Sequence, residues 1–256
     1  MQFLRLFIAF LVFAVNASAA EQGRRILFLV GDSEYKTAET VPAWAKATLE
    51  PRGIICTYLI DDPSKPFDFP KLAELEKADA LFISIKRRGI PPEQMKFIRT
   101  FIESGKPVIG IRTASHAFDP KKPADGEAVW PTFDWDVFGG NYQNHYGKGP
   151  ATLADVRRSA VAHPILDGFP RTTVKFSSHL YKCRDLANTT TWLLTGRLEG
   201  QPEVEEPLAW VNIGEKRKAF YTSLGSPEDF QQLEFSKLLL NATLFLLGEP
   251  VSSPAK

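Results

Sequence analysis

Cysteine and methionine are scarce in this chain, with two of each among 256 residues. The cysteines, Cys56 and Cys183, show no CxxC or Cys/His spacing, which argues against a structural zinc site. Cys56 lies in an apolar run, Ile54 to Ile60, that reads as a buried strand, so two separate thiols are expected rather than a disulfide. Charge of one sign is also missing. Lys and Arg number 31 against 30 Asp and Glu. A balance this even gives no long-range attraction to nucleic acid or to an anionic membrane, so neither is an expected partner. Several catalytic signatures are absent: G-x-S-x-G, H-E-x-x-H, a Walker sequence, and G-x-G-x-x-G after the first strand.

Long apolar runs are confined to the start. Met1 to Asn16 carries one charge, Arg5, then the apolar stretch Leu6 to Val15, then Ala17-Ser18-Ala19. That is the form of a secretory signal peptide over residues 1–19, with export to the periplasm or outside the cell. The run is shorter than the roughly 20 residues that span a bilayer. No second span follows, so the mature chain is expected to stay off the membrane. Cleavage removes Arg5 and no acid, leaving 30 charges of each sign.

The remainder has ordinary globular composition, 44% hydrophobic and 24% charged. Arg25 to Val30 (RILFLV) is a short continuous apolar run, the pattern of a central parallel strand. Thr40 and Pro42 look like the start of a helix running to about Glu50. Strands are expected at Ile54 to Ile60, at Ala80 to Ile85 and at Lys106 to Thr113, with a short helix around Pro70 to Lys77. A helix opens at Pro91-Pro92-Glu93 and ends at Gly105. Strands alternating with helices imply an α/β fold with a doubly wound, mostly parallel sheet. Residues 114–150 read as a long loop region. Strand-like runs follow at Thr173 to Phe176, Thr191 to Thr195, Leu208 to Ile213 and Arg217 to Leu224. Leu233 to Leu247 is a closing amphipathic helix. One domain over residues 24–248 is expected, with 249–256 a disordered tail; a homo-oligomer is left open.

Four histidines remain to place, and all lie in turn-rich segments: His116, His145, His163 and His179. Histidine moves protons or binds metal near neutral pH. In an open α/β sheet, ligands sit beyond the carboxyl ends of the strands. That rule selects Asp32, Glu34 and Tyr35 after the first strand, Arg87 and Arg88 after the third, and Arg112, Ser115 and His116 after the fourth. The two readings are a salt-bridge network and a polar crevice for a small oxygen-rich ligand, an anion included. Between Trp130 and Tyr146, six of 17 residues are aromatic, against 12% overall. Tyr142, Asn144 and His145 there would suit a sugar, while Phe133 and Phe138 read as a satellite core. His163 precedes Pro164 and reads as structural.

These segments together resemble the ThuA-like (trehalose utilisation) family. The resemblance rests on residues 110–118 (GIRTASHAF) and 138–147 (FGGNYQNHYG), extended by 163–166 (HPIL), 178–181 (SHLY), 206–210 (EPLAW) and 219–225 (AFYTSLG). The exported form with residues 34–37 (EYKT) and Arg87-Arg88 is similar to the planctomycete branch. The family implies a flavodoxin-like, three-layer fold of the class I glutamine amidotransferase-like superfamily. It also implies catabolism of disaccharides or glycosides, including oxidised 3-keto sugars. Arg112 stands where an amidotransferase carries its cysteine, so cysteine nucleophile chemistry is not expected. Two departures stand out. Ser226 follows Leu224-Gly225 where the family often has histidine, and Ser178-His179 precedes Leu180-Tyr181 where it often has an acidic or glycine-containing step.

The expected site therefore pairs His116 and His145 as acid and base. Asp32, Glu34, Tyr35, Arg87, Arg88, Arg112, Ser115, Tyr142, Asn144, His179 and Tyr181 bind the carbohydrate, with no cofactor. The alternatives are a binding module without chemistry, and a metal site built from His116, His145 and a carboxylate such as Asp32.

Overall fold

A computed structural model describes residues 23–62, 68–147 and 149–251. The expected signal segment and residues 252–256 of the expected tail lie outside the described residues. The other tail residues are placed: Glu249 pairs with Arg24, at 2.9 Å, and Val251 packs on the core.

The chain forms strands β1 (Arg25–Gly31), β2 (Ile55–Ile60), β3 (Ala80–Ile85), β4 (Val108–Ile111), β5 (Asn144–His145), β6 (Thr152–Val156), β7 (Val174–Phe176), β8 (Tyr181–Lys182), β9 (Thr190–Leu198), β10 (Gln201–Gly214) and β11 (Arg217–Thr222). The helices are α1 (Thr37–Thr48), α2 (Pro92–Glu103) and α3 (Leu233–Leu247). Nine strands make one sheet in the order β2-β1-β3-β4-β11-β10-β9-β6-β7, and β5 and β8 form a separate ribbon. From β2 to β11 the strands run parallel; from β11 to β7 each neighbour is antiparallel.

The apolar run of β1 explains the layering. Ile26, Phe28 and Val30 face one core with Trp44 of α1 and Leu238 of α3. Leu27 and Leu29 face the other core with Ile98 and Phe101 of α2. Side chains alternate across a strand, so a strand buried on both faces must be apolar throughout. Each fully buried Leu, Ile or Phe contributes about 1.5–3 kcal/mol. The Trp44 indole N–H donates to the Ser236 carbonyl at 3.3 Å, tying α1 to α3.

Several boundaries differ from the sequence reading. Helix α1 begins at Thr37, with Pro42 inside it. The carbonyl that Pro42 leaves without a helical donor belongs to exposed Ala38. Strand β2 is an edge strand, with Ile55 and Ile60 exposed, so Cys56 is only partly buried. Both cysteines are free thiols. Strand β4 stops at Ile111 and gives way to a 3₁₀ turn over Arg112–His116. Strand β10 is longer than expected, and β5, β6 and β8 were not anticipated. Among the described residues no helix is long and apolar enough to cross a membrane.

Because β1, β3, β4 and β11 are parallel, their carboxyl ends share one edge. The segments Asp32 to Lys36, Lys86 to Arg88, Arg112 to His116 and Ser223 to Ser226 leave from it. The β5–β8 ribbon joins them, with His145 opposite Tyr181.

Candidate functional site

Arg112 is the centre of this edge. It takes a left-handed backbone, φ 47°, and its side chain is fully buried. Such a conformation costs a non-glycine residue about 1–2 kcal/mol and is over-represented at functional sites. Lys36 and Arg87, on two neighbouring loops, share it at φ 51° and 49°. The Tyr221 hydroxyl donates to the Arg112 carbonyl at 2.5 Å and holds the turn. Arg112 Nη1 donates to the carbonyls of His179 (2.7 Å) and Ser223 (2.5 Å). Its guanidinium carbon lies 4.4 Å from the Tyr35 ring centre and 4.6 Å from that of Tyr181.

His116 follows in the same turn and is 6% exposed. Its Nδ1 lies 3.1 Å from Ser115 Oγ, and its ring stacks on Tyr142 with centres 4.4 Å apart. Burial, reinforced by the positive charges of Arg87, Lys86 and Arg112, pushes its pKa down to about 3. His116 is therefore neutral at physiological pH. His145 is exposed, and its Nδ1 lies 3.0 Å from the Tyr146 carbonyl. A carbonyl only accepts, so Nδ1 is the donor of this pair, and in the neutral ring the lone pair is on Nε2. The Tyr181 ring centre is 6.2 Å from that of His116 and 6.4 Å from that of His145. The His179 ring lies 6.2 Å from that of His145. Asn144 is exposed, and its Oδ1 accepts the His145 N–H at 2.9 Å.

The acids at this edge are largely paired. Asp32 accepts from Thr113 Oγ1 at 2.6 Å and from the Glu34 N–H at 2.9 Å, although burial raises its pKa. Burial also opposes ionisation of Glu34, but its hydrogen-bonded ion pair with Lys86 overcomes that and lowers its pKa. Arg87 binds the carbonyl and carboxylate of Asp119. Arg88 turns away to Asp61, at 2.9 Å, and to the Gly31 carbonyl, so it braces the ends of β1 and β2 rather than facing the histidines. Among the described residues, no three His, Cys, Asp or Glu side chains are grouped to hold a metal ion.

Two buried carboxylates that sequence reasoning did not select shape the edge. Asp134 accepts the Tyr142 N–H at 2.7 Å, and burial pushes its pKa up to about 7. Asp229 accepts from the N–H groups of Ser177 (3.0 Å) and Gly225 (2.9 Å) and from the Ser178 hydroxyl. The Ser226 N–H donates to Ser178 Oγ at 3.0 Å, so the residue in the family's histidine position helps close this network. Asp134 finds its partner eight residues on, and Asp229 joins the nearby Gly225 N–H to the distant Ser177 and Ser178, a combination that no single local motif marks. His163 lies elsewhere: it caps the turn Pro164–Leu166 and its ring rests 4.9 Å from Phe245 of α3.

Residues 25–246 match the family described as ThuA, trehalose utilisation. No curated protein matches the sequence. A putative ThuA-like protein from Bacteroides uniformis superposes with TM-score 0.65 at 18% identity, covering 90% of this chain and 94% of the other. One from Parabacteroides merdae gives 0.62 at 16%, covering 91% and 94%. A cytoplasmic protein from Salmonella typhimurium gives 0.57 at 15%, covering 86% and 98%. At such identities these structures show the fold alone, the glutamine amidotransferase-like α/β fold, whereas the family match spans nearly all the described residues. The chain belongs to the ThuA family of trehalose utilisation.

Proposed function

We propose that the chain is an exported enzyme that moves a proton on a sugar, with a 3-keto glycoside as the preferred substrate. The observation that carries this reading is that the rings of His116 and His145 both lie within 6.4 Å of the Tyr181 ring, at the edge where the strand-end loops meet. The two imidazoles differ in a useful way. His145 presents Nε2 as a base. His116 is held neutral and has little affinity for a further proton, so it serves as a hydrogen-bonding group rather than as a proton carrier. A neutral imidazole can polarise a carbonyl in this manner. In a keto sugar, the C–H beside the carbonyl is acidified. His145 takes that proton while His116 stabilises the oxygen on which charge develops. The partly exposed Tyr142 supplies a flat face for the sugar's C–H surface.

The test is exchange of that C–H with deuterated water, followed by NMR on a 3-keto disaccharide. A positioned base contributes roughly 10²–10⁴-fold, so His145→Ala is expected to lose that much rate. Exchange that is unaffected by His145→Ala removes the mechanism. A second reading, a carbohydrate-binding module without chemistry, is favoured by the closed Ser178–Asp229–Ser226 network where the family often carries histidine. Saturable sugar binding with no exchange on any keto sugar selects it.

A further inference from the structure

Arg112 differs from the other cations of this edge. Lys86 pairs with Glu34, Arg87 with Asp119 and Arg88 with Asp61. Arg112 is paired with no carboxylate among the described residues, although it is more deeply buried than any of them. Nη1 is engaged by two carbonyls, whereas Nε and Nη2 are buried and have no hydrogen-bond partner. The Tyr35 hydroxyl lies near enough to favour the cation but makes no aligned hydrogen bond to it. A buried guanidinium with three of its five N–H donors unmatched is costly unless something meets them. Two further buried hydroxyls without partners, Ser223 Oγ and Ser226 Oγ, lie on the segment whose Ser223 carbonyl already binds Arg112.

The shape of the unmatched edge is informative. Nε–H and Nη2–H are the two parallel donors on one side of a guanidinium, the fork that binds a carboxylate in bidentate fashion. The ring centres of Tyr35 and Tyr181 lie 4.4 and 4.6 Å from the guanidinium carbon, so a slot opened at the fork would be bounded by these rings and would suit a group as flat as the guanidinium itself. A planar carboxylate fits such a slot, whereas a tetrahedral phosphate would part the rings. Tyr181 is buried and belongs to the β5–β8 ribbon. Tyr35 is only half-buried, on the short loop after β1, and is the side of the slot that can open.

We propose that Arg112 Nε and Nη2, with Tyr35 as a movable cover, bind the carboxylate of an acidic sugar, a uronate or aldonate. The location rests on the sugar reading above; the carboxylate and its bidentate seat on Arg112 are new. Calorimetric titration of the mature protein with glucuronate, its neutral methyl ester, glucose and a hexose phosphate tests it. Bidentate, charge-assisted recognition is expected to favour glucuronate over ester and glucose by about 10–100-fold. Equal affinities for acid, ester and glucose overturn the carboxylate site while leaving sugar binding and the exchange test intact. Equal affinity for the hexose phosphate overturns the planar slot. Absence of binding by all four overturns this site and, if no keto sugar exchanges either, the sugar reading with it. Arg112→Gln is expected to abolish the acid–ester difference. If that variant does not fold, Arg112→Lys, which keeps charge but not the fork, is expected to reduce the difference at least tenfold, and its retention overturns the assignment. Tyr35→Ala is expected to speed association, and an unchanged rate removes Tyr35 as the cover.

Discussion

The His116 imidazole lies face to face with the Tyr142 ring, centres 4.4 Å apart and planes 23° apart. The backbone N–H of the same tyrosine donates to the buried Asp134 carboxylate at 2.7 Å. One loop therefore carries both the cover of a histidine that is neutral at physiological pH and the anchor of an acid that prefers to be neutral.

Removing the cover should change the histidine. Burial is the main cause of the His116 shift to about 3. Tyr142→Ala admits water to the ring face, so the His116 pKa is expected to rise toward its ordinary value of 6.5. Tyr142→Phe preserves the stack and is expected to leave it low. NMR titration of the imidazole resonances reads this directly. A His116 resonance that stays unprotonated at pH near 5 in Tyr142→Ala would show that the stack does not control its solvation.

Asp229 is expected to matter for stability more than its distance from the two histidines suggests. Its carboxylate accepts from the backbone N–H groups of Ser177 and Gly225 and from the Ser178 hydroxyl; truncation strands the Ser177 N–H, whereas the Gly225 N–H keeps Ser178 Oγ at 3.1 Å. Leaving a buried donor without its acceptor costs about 1–3 kcal/mol. Asp229→Ala should show a loss of that size in urea unfolding, with Asp229→Asn losing less. A loss below about 1 kcal/mol, the net worth of one ordinary hydrogen bond, contradicts the network's role.

The legible parts of the fold were those where one local rule sufficed. Strands β1 and β3 are buried on both faces and therefore apolar throughout, and α2 and α3 end at Gly105 and Gly248 in the left-handed conformation. The apolar run of β2 reads the same way, but only its place in the sheet order makes it an edge strand with Ile55 and Ile60 exposed. Strand β6 contains Asp155, which pairs with Arg197 of β9 across the sheet, a partner 42 residues away. The strand-end rule gathered Asp32, Glu34, Tyr35, Arg112 and His116 on one edge. It could not distinguish Arg88, which braces Asp61, from Arg112, whose fork is unmatched.

Gly110 is expected to tolerate no side chain. It lies in β4 directly under Phe138, and an added Cβ would fall 2.3 Å from the ring. The ring cannot yield easily: Phe133 meets it edge-on at 5.5 Å and Tyr221 packs on it at 5.2 Å. Tyr221 in turn holds the Arg112 carbonyl, so the strain reaches the site. Overpacking of this kind costs about 1–3 kcal/mol. Gly110→Ala is expected to lower the urea midpoint by a corresponding amount and to alter the near-UV circular dichroism. Unchanged values for both would mean that the Phe138 ring is free to shift.

The pH dependence of stability combines His116 and Asp134 with opposite signs. His116 has a pKa of about 3 when folded and 6.5 ordinarily, so between those values only the unfolded chain takes up the proton. Its contribution is present above pH 6.5 and is lost as pH falls toward 3. Asp134 has a pKa of about 7 when folded and 3.8 ordinarily, so between those values the folded chain holds the proton. Its contribution is present below pH 3.8 and is lost as pH rises through 7. Asp32, also raised by burial, acts in the same direction as Asp134. Over the shared window, from about pH 4 to 6.5, the slopes oppose each other, and these groups leave stability nearly flat. Asp134→Asn keeps an acceptor for the Tyr142 N–H but removes the falling limb, so its stability is expected to climb with pH across that window by an amount on the order of a few kcal/mol. His116→Gln should do the reverse. Urea unfolding at three pH values within the window separates the cases. An Asp134→Asn slope equal to that of the parent chain would mean that the buried carboxyl ionises in the folded state as readily as in the unfolded one.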